Sequence, residues 1–339
     1  MKAATLTLLL CAAATSAQES RPESRPLPPA ERAALTEAFF GAVRSGDDTA
    51  ALRAASKLAE AGDAGVEALL DHAVGRDPTE IACALRWSAD TGLPVAAKPA
   101  ARFAVHDDAG VRASAIVCVA ATAGPKEIAL YVAATRDAAP EVRRRAYDAL
   151  VEHALGAPET VAAGAEGMAS DDSWLVMRGA ALLQAAPAPP PGGVDPVMSA
   201  LTAVAPRIRG GNAAAVLDVV GRRCGAAAAP VVVKLLAVED LEAVIAALEA
   251  VARHGIAEAA PRVRALAEHD EPTVAAAAFR GLAAAPTPDA THFLVGRLED
   301  APTEELREAA AIALRRLTGK LFGRDVARWR RWLDDVAQG

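Results

Sequence analysis

The chain has 339 residues, 43 of them Asp or Glu against 36 Lys or Arg, for a formal charge of −7. That balance makes the chain a poor candidate for general nucleic-acid binding, which depends on neutralising phosphates with Lys and Arg. Roughly a quarter of the residues are Ala and only 4% are aromatic, which favours helices packed through thin, close interfaces over sheets.

The first element is a predicted secretory signal peptide over residues 1–17. Lys2 supplies the positive end, Ala3 to Ala14 is an apolar stretch centred on Leu8-Leu9-Leu10, and Thr15-Ser16-Ala17 supplies the small residues before polar Gln18. Cleavage is expected after Ala17, leaving a periplasmic or secreted protein. About 12 apolar residues are too few for a spanning helix. A lipid anchor on Cys11 is disfavoured by bulky Leu10 in front of it. Cleavage removes Lys2 and takes the formal charge from −7 to −8. Arg, Asp and Glu recur through the rest of the chain, so no later membrane span is expected.

Residues 18–29 hold Glu-Ser-Arg-Pro twice in tandem and then Leu27-Pro28-Pro29. Such a segment has too little apolar surface to bury and reads as a Pro-rich disordered tether. Helix is predicted from Ala30, with Pro29 in the first turn.

From there one pattern recurs. A short acidic or Pro-containing turn leads into an aliphatic residue, often followed by Arg, with small residues about four positions on. The copies run Asp48-Thr-Ala-Ala-Leu52-Arg53, Asp77-Pro78-Thr-Glu-Ile81, Asp107-Asp-Ala-Gly-Val111-Arg112, Ala139-Pro140-Glu-Val142-Arg143 and Asp172-Ser-Trp-Leu-Val176. Asp270-Glu-Pro272-Thr-Val274 and Asp300-Ala-Pro302-Thr-Glu-Glu-Leu306-Arg307 close the series. The aliphatic anchors, with Leu241 included, thus recur at a nearly constant spacing, broken once between Val176 and Leu241. That gap is two units long, so a weak copy is expected at Asn212 to Arg222. About nine units result, each long enough for two helices and two turns. In Val142-Arg-Arg-Arg-Ala146-Tyr-Asp-Ala149-Leu150 the apolar residues form one helical face, so the anchor is placed on the second helix of its pair. First helices are predicted around Val66–Leu70, Ile128–Val132, Val231–Leu236 and His292–Leu298. Each is marginal alone and gains its stability by stacking.

The turn Asp, the Pro-x-Val-Arg opening and the small-residue spacing resemble short bacterial HEAT-like repeats over about Leu35 to Gly319. The resemblance implies an all-α fold, an α/α superhelix or HEAT-like solenoid of about nine helix pairs. It also implies a ladder in which turn Asp and following Arg bond between units, casting Asp107 with Arg112 and Asp48 with Arg53 as ladder residues. The units at Ile81, Val176, Leu241 and Val274 lack the Arg and interrupt such a ladder. The end, Leu317-Thr-Gly, Phe322-Gly323 and a helix with Trp329 and Trp332, is similar to the C-terminal ending of bacterial HEAT-repeat proteins. Val326, Trp329, Leu333 and Val336 are expected on the inner face of this capping helix, with Asp325 as its N-cap. Pro187-Ala-Pro-Pro-Pro-Gly-Gly193 interrupts the series, dividing it into repeats at 30–190 and at 191–319, with the cap at 320–339.

No catalytic motif appears. The six histidines include no pair at helical ligand spacing, and no Cys/His cluster, HExxH, P-loop or GxSxG is present, so neither a cofactor nor a metal is expected. Cys83 and Cys118 fall on neighbouring units too far apart for a disulfide and are expected free and buried. Candidate partner-binding residues are Arg143, Arg144, Arg145 and the unusual Trp174, and the end of the chain is rich in Arg. The expected function is a non-enzymatic, monomeric, exported scaffold holding a protein or peptide along the stacked second helices. The alternative is a bilin lyase-like, chromophore-handling role known from some HEAT-like families, which export disfavours. A HEAT-like DNA glycosylase would need a basic, aromatic groove and is disfavoured by charge.

Overall fold

The computed structural model describes residues 27–189, 193–224 and 228–338. The expected signal peptide and residues 18–26 of the tether lie outside the described residues. Leu27 is already tied down, its carbonyl accepting from Arg32 Nη1 at 2.5 Å. Pro29 opens the first helix, so the tether is shorter at its C-terminal end than its composition implies.

The described chain is all-α, with no strand among the described residues. Four helix pairs form the first compact unit, which ends at Leu155. They are α1 (Pro29–Ser45) with α2 (Asp48–Glu60), α3 (Asp63–His72) with α4 (Pro78–Thr91), α5 (Ala97–Ala101) with α6 (Ala109–Ala123), and α7 (Ile128–Ala134) with α8 (Pro140–His153). Five more form the second unit, from Gly156. They are α9 (Val161–Met168) with α10 (Ser173–Ala185), α11 (Pro196–Val204) with α12 (Asn212–Cys224), α13 (Ala229–Leu235) with α14 (Leu241–His254), α15 (Ala260–Leu266) with α16 (Pro272–Ala284), and α17 (Ala290–Asp300) with α18 (Glu304–Thr318). Helix α19 (Val326–Gln338) follows. Each unit has the HEAT-like α/α solenoid fold, in which a second helix packs against the second helix of the next pair: α4 on α6 and α6 on α8, then α10 through α18 in succession. The weak copy between Val176 and Leu241 is a full helix, α12.

The pairs share one register, counted from the N-cap of the second helix. Asp77, Asp108, Asp172 and Asp240 each accept a backbone N–H of their own first turn, and Thr303 does the same for α18. Three and four residues after the cap the chain enters the core: Ile81, Val111, Val142, Val176, Val274 and Leu306 are all buried. Two expected anchors fail this count. Leu52 is 45% exposed and Leu241 41% exposed. Leu241 follows directly on its cap Asp240, one residue into the helix, and the core positions there belong to Ala243 and Val244. In α2 the cap is Asp47, not Asp48, which turns Leu52 outward and leaves Ala54, Ala55 and Leu58 buried.

Small residues set the closest helix approaches. A Cβ on Gly179 of α10 would stand 2.5 Å from the Gly164 carbonyl oxygen of α9, and one on Gly164 would stand 2.9 Å from Leu183 Cδ2. In the first unit Glu80 is buried on α4, accepting from Arg44 Nη1 at 2.7 Å, while Arg76 pairs with Glu37 and lies over the Phe40 ring. Burying that carboxylate is tolerable because guanidinium groups stand beside it.

Two further expectations are corrected. The chain does not divide at the proline-rich segment: α10 and α12 lie on either side of it and pack together in the second unit, and the boundary falls between Leu155 and Gly156. Val336 of α19 is 58% exposed, whereas Trp332 packs inward beside Trp329. Trp329 is fully buried, edge-on to Phe322 at 4.9 Å, with its indole N–H donating to the Gly323 carbonyl at 3.0 Å. Asp325 caps the helix through the Arg328 N–H. Finally, 109–134 is apolar enough to suggest a membrane span. A tight turn at Gly124–Glu127 breaks it into α6 and α7 of 15 and 7 residues, each shorter than the roughly 20 a crossing needs.

Replacing Gly179 with Ala should lower stability by about 1–3 kcal/mol, since the added methyl meets backbone rather than a movable side chain. Urea denaturation followed by circular dichroism checks this; an unchanged midpoint would show that α9 and α10 can separate freely.

Candidate functional site

The turns before the second helices are built from repeated side-chain roles. Two residues ahead of the cap, His106, Asp137, Ser170 and His269 each accept the N–H of the cap residue. Four residues after the cap, Arg112, Arg143 and Arg307 turn back to the carbonyls of the preceding turn. Arg112 Nη1 reaches His106 O and Asp107 O at 2.8 Å, Arg143 Nη1 reaches Asp137 O and Ala138 O, and Arg307 Nη2 reaches Ala301 O. Arg112 also forks onto the next turn, with Nε and Nη2 each 2.8 Å from a carboxylate oxygen of Asp137. A connection between neighbouring pairs therefore exists, but its carboxylate is Asp137. Asp107 contributes only its carbonyl. Asp48 and Arg53 are not brought together, because the cap at Asp47 places Arg53 six residues on, outside the position from which an Arg reaches back.

The Arg112 guanidinium hydrogen-bonded to Asp137, helped by the Ala139 N–H, outweighs burial and holds the Asp137 carboxyl below the usual carboxylate range. The same bond raises Arg112.

With the turns so occupied, the other side of the second helices is left to solvent. Large apolar side chains exposed from described α-helices, the terminal α19 apart, are Leu52, Trp174, Met177, Leu241 and Ile312. All sit on second helices, at positions one, two, five or nine after the cap. At about 100° per residue these positions fall within one sector about 100° wide, opposite the buried stripe. The first helices expose none. In the second unit the same face carries two open clefts that meet at Arg280. One, of about 470 Å³, has Ala276, Ala309 and Ile312 for its apolar part, with Glu304, Glu305 and Glu308 around it and Arg324 paired to Glu304 and Glu308. The other, of about 440 Å³, is lined by Glu249, Ala252, Arg253, Arg280 and Arg316. No spacing in the sequence singles out this second group, because its members come from three different pairs; counting from the caps would have aligned them.

Trp174 lies on the exposed stripe at 37% exposure, with the Arg178 guanidinium 4.5 Å from its ring centre. Of the three consecutive arginines, Arg144 occupies the stripe, five residues after Ala139. Arg143 is committed to its turn carbonyls, and Arg145 is exposed beside the stripe. Cys83 and Cys118 are both free. Cys118 is fully buried and its thiol is pushed up to about 12, chiefly by burial, so it is unreactive filler. Cys83 is only half-buried, contrary to expectation, with Arg86 Nη2 at 3.6 Å from its sulfur. Among the described residues no three His, Cys, Asp or Glu side chains group so as to hold a metal ion.

Residues 229–315 match a family model described as HEAT repeats. The match spans α13 to most of α18. Among curated protein sequences none matches significantly. Solved structures with a similar fold include an engineered protein (19% identity, 88% of this chain and 87% of that one, TM-score 0.37). Human deoxyhypusine hydroxylase covers 85% and 98% at 13% identity and TM-score 0.31. A designed armadillo repeat protein, solved with the peptide (KR)4, covers 84% and 99% at 15% identity and TM-score 0.26. At these scores the likeness carries no argument about function, which has to come from this chain's own side chains.

Asp137→Asn should lower the thermal midpoint at neutral pH by roughly 2–4 °C. Because the folded-state pKa of Asp137 is depressed, the wild-type advantage is complete above about pH 5 and disappears as pH falls through that depressed value. Melting curves of both proteins from pH 7 to pH 2 check the convergence; a constant offset across that range would contradict the assignment.

Proposed function

We propose that this protein is an exported, non-catalytic scaffold that binds a protein or peptide along the exposed face of its second helices. One observation carries the reading: in the second unit Trp174, Met177, Leu241 and Ile312 share one sector of the second helices, while the first helices there expose no large apolar side chain. Exposed apolar groups cost solvation, and collecting them on one face with charged residues around them marks an interaction surface. The clefts of the second unit lie on that face, open to solvent and walled by charged groups, as suits an extended ligand. An enclosed apolar pocket of the kind a tetrapyrrole needs is not among these clefts, so the chromophore-handling alternative is not favoured.

Export rests on the segment from Met1 to Ala17, whose charged, apolar and small-residue parts follow the signal-peptide order. N-terminal sequencing of the protein recovered outside the cytoplasm of an expressing bacterium should begin at Gln18. Recovery of the full chain from the cytoplasm with Lys2 intact would contradict export.

Selection of a random peptide library on the mature protein should enrich binders. Ile312→Asp and Met177→Asp should each weaken them at least tenfold without moving the thermal midpoint. Failure to enrich any peptide, or binding indifferent to both substitutions, would remove the second-helix face as the binding surface.

A further inference from the structure

Several arginines in this structure have more than one partner. Arg112 makes four hydrogen bonds, Arg324 pairs with two carboxylates, and Arg264 pairs with Glu268 and Asp289 while lying over Phe293. The cleft at the ends of α14, α16 and α18 differs. Arg253, Arg280 and Arg316 line it together with a single carboxylate, Glu249. Among the described residues their one ion pair is Arg280 to Glu249 at 3.8 Å, too long for a hydrogen bond. Arg253 makes none. Arg316 spends one nitrogen on the Ala252 carbonyl of α14, at 2.8 Å. That bond crosses from α18 to α14 and fixes the Arg316 guanidinium over the cleft.

The register explains why three positive groups meet. Arg253 and Arg316 stand thirteen residues after their caps, Asp240 and Thr303, and so occupy equivalent positions on α14 and α18. Between them α16 has Ala284 at that position and Arg280 one turn earlier, nine residues after Glu271. A small residue in the middle with long cations around it leaves an open, positively charged cleft in a protein whose formal charge is −7. Within this cleft three guanidinium groups face one carboxylate, Glu249, while Glu304, Glu305 and Glu308 lie in the adjoining cleft on the other side of Arg280; an anionic partner seated here offsets the excess positive charge.

We infer that Arg253, Arg280 and Arg316 form the anchoring site for carboxylate side chains of an acidic peptide segment. This rests on the reading of the second-helix face as a peptide-binding surface and gives the ligand its charge. The acidic segment lies across the ends of α14, α16 and α18. An aliphatic neighbour lies against Ala276, Ala309 and Ile312 of the adjoining cleft, where Glu304 and Glu308 are already paired with Arg324.

The test is fluorescence anisotropy on the mature chain, residues 18–339, with labelled hexaglutamate, labelled hexalysine and inorganic phosphate as competitor. Hexaglutamate should bind at low salt and weaken steeply as salt rises, while hexalysine should not bind there. The double variant R253E/R316E should lose hexaglutamate binding at least tenfold. Arg253→Lys should keep most of it, and Lys98→Glu, on the first unit, should leave it unchanged. Melting curves run alongside separate a binding loss from unfolding: a double variant that melts with wild type and still binds hexaglutamate overturns the site. Complete displacement by phosphate at concentrations that leave ionic strength unchanged overturns the carboxylate assignment in favour of a phosphate group. If library selection yields Ile312-dependent peptides without acidic residues, this inference fails and the broader reading stands. If no peptide is enriched at all, the broader reading fails with it.

Discussion

The helices of this chain are short, from the single turn of Ala97–Ala101 to Pro29–Ser45, and in water most of them would not persist alone. Their existence depends on burying one stripe of each second helix against its partner helix and its neighbours. That requirement propagates through each of the two compact units. It needs the stripe of each pair to line up with the next, so the start of each second helix must be fixed. Aspartate caps and the side chains two residues before them do this, by binding the free N–H groups of the first turn. The reach-back arginines then tie the turn carbonyls, and Arg112 ties one turn to the next through Asp137.

Fixing the buried stripe also fixes what is left over. On a helix with a buried sector the opposite sector is exposed, and in a row of equivalent helices those sectors form a row too. The position of the second-helix face is thus a by-product of register, and its chemistry depends on the residues it carries. Apolar Trp174, Met177 and Ile312 and the convergent arginines distinguish it from an ordinary solvated face, and the clefts of the second unit lie upon it. Among the first helices, by contrast, Arg264 of α15 pairs with Asp289 in the turn before α17.

Much of the fold was legible in the sequence, because the regular return of turn and aliphatic anchor and the apolar spacing of the second helices are local patterns. The weak copy at Asn212 was placed by the gap it fills, and the C-terminal cap by its two tryptophans. What escaped reading depended on where a helix begins to within one residue. Leu52 and Leu241 look like anchors in a string of letters and turn outward because Asp47 and Asp240 are the caps. The same one-residue question hid the ladder, which uses Asp137 and not Asp107, and misplaced Arg53. The arginine cleft was invisible for another reason: Arg253, Arg280 and Arg316 are distant in sequence and meet only after three pairs have stacked. The proline-rich segment misled because composition reports that a helix must stop and says nothing of whether the flanking helices still pack together.

Hydrogen exchange on the protein, with and without a peptide selected for binding, reads directly which helices the ligand covers. Added protection should be confined to second helices, above all Leu241–His254, Pro272–Ala284 and Glu304–Thr318. Protection centred instead on the first helices, such as Ala260–Leu266 and Ala290–Asp300, would contradict binding along the second-helix face.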